Sequence, residues 1–95
     1  SKLYSNRELR EFLESLNFTR GELRRHAIEY IHAPNSNLRT RYDFLLSKFE
    51  NSLERTQALS ADKQSIQNIE TIHKKMKLIE LDAMLKSISD QEESL

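Results

Sequence analysis

Two Glu-x-x-His pairs, Glu29-Tyr30-Ile31-His32 and Glu70-Thr71-Ile72-His73, have the spacing best suited to chemistry in this chain. On a helix, residues three apart sit one above the other, so each pair offers an oxygen and a nitrogen donor to a single metal ion. Glu11, Glu14, Glu50 and Glu54 add carboxylates on neighbouring predicted helices. Side-chain direction opposes that use. Glu29 and His32 lie about 140–160° from the apolar stripe Leu23, Ala27, Tyr30 and Ile31, and Glu70 points away from Ile66, Ile69 and Ile72. All are expected to be surface charge, with no metal and no cofactor. His73, followed by Lys74, Lys75 and Lys77, is also placed as a phosphoryl acceptor would be. The glycine that normally lets a donor approach is missing there, so the three lysines read as a solvated basic patch.

Other chemistry is excluded more simply. One glycine cannot build a phosphate-cradling loop, and the absence of cysteine removes thiol nucleophiles and disulfides. No Ser/His/Asp order suggests an activated nucleophile, and no carboxylate pair is confined to an apolar pocket. Neither enzymatic activity nor a small-molecule substrate is expected.

The basic stretch from Arg10 to Arg25 is the one region suited to nucleic acid. It reads as a helix, a short turn at Asn17-Phe18, and a second, Arg-rich helix capped by Thr19. The run Leu16-Asn17-Phe18-Thr19-Arg20 resembles the turn of the helix-turn-helix superfamily. That resemblance covers about a fifth of the chain and implies that Thr19, Arg20, Arg24 and Arg25 meet phosphates or base edges. The sequence departs from the pattern by having Asn at the turn glycine and no preceding helix. The helix order of the two Glu-x-x-His pairs likewise resembles the di-iron carboxylate bundles, but their directions and short first helices depart from that family.

The elements that must position these residues are all helical. Ser5 with Glu8 and Thr19 with Glu22 form two capping-box patterns, and Tyr4/Leu9 and Phe18/Leu23 are placed as hydrophobic staples. They predict a short helical pair over residues 5–33, stopped by Pro34. Ser36 or Asn37 then caps a long helix with Leu38, Tyr42, Leu45, Leu46, Phe49 and Leu53 on one stripe. After a turn at Leu59-Ser60-Ala61-Asp62, a second long helix starts at the Ser60 cap. It carries Ile66, Ile69, Ile72, Met76, Ile79 and Ala83 on one stripe and Leu78, Leu81, Leu85 and Ile88 on another. At ~1.5 Å per residue it would be about 42 Å long, which predicts a projecting tip around Thr56–Ile66.

The expected fold is therefore all-α and single-domain over residues 1–95. A short N-terminal helical pair would pack on the base of a long antiparallel hairpin (37–88), giving four helices, with 89–95 a disordered acidic tail. Phe44 and the Leu78/Leu81/Leu85/Ile88 row form a two-faced base needing a cover, so these five residues are the expected partner or dimer interface. Leu81→Asp with Leu85→Asp is expected to disrupt folding or dimerisation.

Fifteen basic and 15 acidic residues cancel, with nine against six in residues 1–48 and six against nine in residues 49–95. That balance is unlike a dedicated nucleic-acid binder. No apolar run approaches a membrane span. The expected protein is an intracellular, cytoplasmic interaction module that associates with itself or a protein partner. The alternative is a dimeric DNA-binding regulator using the N-terminal pair as its reading head.

Overall fold

The computed structural model describes residues 5–59 and 63–93, and these form three helices. They are α1 (Asn6–His32), α2 (Ser36–Leu59) and α3 (Lys63–Glu93). The helices run up, down and up in a bundle of 56 × 21 × 17 Å. α1 packs extensively on both α2 and α3, while α2 and α3 touch each other less. The molecule is therefore organised around its N-terminal helix rather than around the α2–α3 hairpin.

The expected four helices become three because the N-terminal pair is one continuous helix. Asn17 and Phe18 are both helical and exposed, and no described non-glycine residue has positive φ. Asn17 thus does not adopt the left-handed conformation that ends a helix. Thr19 does not cap either: its hydroxyl donates back to the Ser15 carbonyl, 3.0 Å away, inside the helix. Continuity puts Leu16, Arg20, Leu23, Ala27 and Tyr30 on one buried stripe at alternating spacings of four and three. Arg20 occupies the stripe position where an apolar residue would have revealed an unbroken helix.

The helix ends follow local chemistry. Ser5 caps α1, with its Oγ accepting from the Glu8 amide at 3.2 Å and donating to the Glu8 carboxylate at 2.9 Å. α1 stops at His32, before Pro34. Asn35, rather than Ser36 or Asn37, caps α2: its Oδ1 accepts from the Leu38 amide at 3.0 Å. The expected Tyr4 staple and the turn and cap at residues 60–62 lie outside the described residues. α3 runs through the acidic segment to Glu93, where a disordered tail was expected. Lys86 pairs with Asp82 and is also drawn by Asp90, so charge spaced at four residues supports this last stretch.

The core is built from Leu16, Leu23, Ala27 and Tyr30 of α1, Tyr42, Phe49 and Leu53 of α2, and Ile66, Ile69 and Met84 of α3. Leu38, Leu45, Leu46, Leu81 and Ile88 pack against it. The α2 stripe is as expected. Thr56 and Ile66 are buried, so the hairpin does not project bare at those positions; the 27-residue α1, about 40 Å long, reaches that level. Beyond Ile69, the inward face of α3 is rotated by one residue, about 100°, from the expected stripe. His73 and Glu80 point inward, and Ile72 and Ile79 are 54% and 69% exposed.

Gly21 sits inside α1, with ordinary backbone angles and nothing within 4 Å of an added Cβ. Gly21→Ala is expected to stabilise the bundle by about 0.5–1 kcal/mol, because alanine restricts the unfolded chain and favours helix. Urea unfolding followed by helical circular dichroism measures this.

Candidate functional site

The residues that could do chemistry are gathered in two places, one buried and one exposed. The buried one is a polar cross-brace between all three helices. Arg20 of α1 reaches Glu80 of α3 through Nη2, and Tyr42 of α2 donates its hydroxyl to the other Glu80 oxygen at 2.7 Å. Arg20 Nη1 also lies 2.7 Å from His73 Nδ1. A guanidinium can only donate, so Nδ1 accepts and the imidazole proton is on Nε2. That Nε2–H meets Glu50 Oε2 at 2.8 Å, and Lys77 donates to the same oxygen at 2.9 Å. The imidazole also packs against the Phe49 ring, with centroids 4.6 Å apart. His73 is thus neutral and held from α1 and α2.

Titration follows from these contacts. Burial holds His73 below the ordinary histidine value, and the Arg20 charge adds to that against the pull of Glu50. Burial would raise Glu50, but hydrogen bonds from His73 and Lys77 outweigh it and hold the carboxyl below its ordinary value. Burial, reinforced by the bond to Glu80, pushes the Tyr42 hydroxyl upward. Tyr42 therefore stays a neutral donor to a carboxylate.

The arrangement suits bracing better than catalysis. Each polar group except Arg20 Nε, which has no acceptor among the described residues, is committed to a neighbour. His73 is 2% exposed, which leaves neither ring nitrogen for a phosphoryl donor. The two Glu-x-x-His pairs do not meet. Glu29 and His32 are exposed on α1, whereas Glu70 bonds Gln57 and Lys74 and His73 is turned inward. No three His, Asp or Glu side chains among the described residues converge as a metal site would require. Of the expected solvated lysines, Lys77 is half-buried on Glu50, and Lys74 pairs with Glu70.

The residues expected to read DNA do not share a surface. Arg20 is buried in the brace, and Thr19 is half-buried and bonded within α1. Arg25 pairs with Glu22, and Arg24 is exposed beside Met76 and Ile79. α1 is unbroken from Asn6 to His32, so the stretch from Arg10 to Arg25 is not a helix-turn-helix.

The second place is the outward side of α3. Leu78 and Leu85 are 71% and 67% exposed, while Leu81 and Ile88 pack on the core. The expected five-residue interface therefore divides. Phe44 is exposed on α2, about 160° around the helix from buried Tyr42, and Lys48 Nζ lies 5.2 Å from its ring centroid. With Ile72 and Ile79, α3 carries four large aliphatic side chains more than half exposed. Sequence periodicity had assigned Ile72 and Ile79 to the core.

No helix among the described residues is long and apolar enough to cross a membrane. Comparison of the chain with protein-family models, with curated proteins and with solved structures finds no match.

Proposed function

We propose that this chain is a non-enzymatic protein–protein interaction module, a small self-associating regulator or adaptor whose working surface is the outward side of α3. The observation that carries this reading is the exposure of Ile72, Leu78, Ile79 and Leu85 on one helix. Single exposed aliphatics are ordinary, but four along about 20 Å of one helix are an unpaired apolar surface of the kind that binds protein. The buried brace supports the same role, because it fixes the rotation of α3 and with it the residues presented outward.

Sedimentation velocity from micromolar to near-millimolar protein tests this, comparing wild type with Leu78→Glu/Leu85→Glu. Both side chains face solvent, so the variant is expected to keep its fold, whereas a change at Leu81 would strike the core. Reversible association that the variant loses while its circular dichroism is unchanged is the expected result. A wild type that stays monomeric throughout overturns self-association. Salt-sensitive binding to a random DNA duplex, lost in Arg24→Glu/Arg25→Glu, would replace this reading with a nucleic-acid one.

A further inference from the structure

We infer that the outward side of α3 pairs with a second copy of itself in an antiparallel register, with the two-fold axis passing between Leu78 and Ile79. This rests on the assembly reading above and names its partner and geometry. The exposed side of α3 is an arc about 140° wide at 100° per residue. Leu78 and Leu85 form one border, Ile72 and Ile79 the other, and Lys75 and Asp82 lie between them. All six side chains are exposed.

The charge pattern selects the orientation. About an axis between Leu78 and Ile79, Leu78 meets its own copy on one border and Ile79 meets its own copy on the other. Between the borders each Lys75 faces Asp82 of the second copy, so two ion pairs form in the middle of the apolar contact. A parallel, in-register pairing would put Lys75 against Lys75 and Asp82 against Asp82, and like charges so placed cost affinity. The antiparallel register is the one in which the same surface is complementary to itself in both shape class and charge, as a two-fold contact requires. In the single chain Asp82 holds Lys86 at 2.9 Å, an exposed pair that gives up little when Asp82 turns to the new partner. A central polar pair of this kind adds little affinity, but it fixes orientation and register.

Charge exchange in the intact chain, followed by sedimentation equilibrium, tests the register. Lys75→Asp and Asp82→Lys are each expected to weaken self-association at least ~10-fold, by setting like charges face to face. An equimolar mixture of the two variants restores wild-type affinity as a heterodimer, since both central contacts are again opposite in sign. The double variant Lys75→Asp/Asp82→Lys restores it as a homodimer. Wild type that binds Lys75→Asp more tightly than it binds itself would mean a parallel pair and overturn the register. So would single variants that associate like wild type while Leu78→Glu/Leu85→Glu abolishes dimers; in that case the assembly reading stands and only the register falls. A monomeric wild type removes both.

Discussion

Arg20→Met is expected to destabilise the bundle by about 3–5 kcal/mol, because it leaves the buried Glu80 carboxylate without its counter-charge. Glu80 is 6% exposed and, among the described residues, holds only the Tyr42 hydroxyl besides Arg20, and His73 Nδ1 loses its donor in the same step. The loss is large against the ~5–14 kcal/mol expected for a domain of this size. The pair itself is a different matter. Arg20→Met/Glu80→Leu removes both buried charges and is expected to recover most of the loss. Adding Tyr42→Phe removes the hydroxyl then left unpaired and recovers more. The unpartnered Arg20 Nε adds a reason why an apolar replacement is tolerated. Urea unfolding of the single, double and triple variants measures these differences. An Arg20→Met variant within ~1 kcal/mol of wild type would show that the brace is solvated in solution and holds nothing together.

Acid is expected to weaken the fold in two stages, the first set by His73. Its folded value lies below the ordinary 6.5, so between those two values the unfolded chain binds a proton that the folded chain does not. Stability therefore rises with pH across that window; it is fully present above about 6.5 and is lost as pH falls through the folded value. The cause is burial first, and then the Arg20 guanidinium, which a proton on Nδ1 would face. Glu50, held below its ordinary 4.5, contributes the second stage as pH falls below that value. Urea midpoints from pH 8 to about pH 3 check this, with His73→Gln as the comparison. The variant is expected to lose the first stage and keep the second. An unchanged slope above pH 5 in His73→Gln would show that His73 does not set the first stage.

The proposed association is expected to respond to acid through α3. The brace fixes the helix by contacts to Arg20, Glu50 and Tyr42, so protonating His73 loosens the element that presents Ile72, Leu78, Ile79 and Leu85. Self-association is accordingly expected to weaken at acid pH more than the exposed side chains alone would dictate.

Much of this molecule is determined by its sequence alone. The all-helical class, the stop at Pro34, the Ser5 cap and the inward stripe of α2 all follow from local rules: a fixed proline φ, a hydroxyl near orphan amides, and apolar residues repeating every three to four positions. Three features were decided only by tertiary structure, and they share a cause. Arg20, His73 and Glu80 occupy core-facing positions, where a count of apolar residues registers a gap. Asn17 and the second capping-box pattern at Thr19 and Glu22 divided one helix into two, and Arg20 on the buried stripe left its continuity unmarked. The gaps at His73 and Glu80 turned α3 by about 100°, so that Ile72 and Ile79 were assigned to the core and the outward apolar side was credited only to the Leu78 row. Opposite charges at stripe positions of two helices were a signal of the brace, but burial of each is tolerable only because its partners come from other helices. Arg20 finds its partners on α3, Glu80 on α1 and α2, and His73 on α1 and α2. That pairing is set by how the three helices meet, and no local pattern within any one of them contains it.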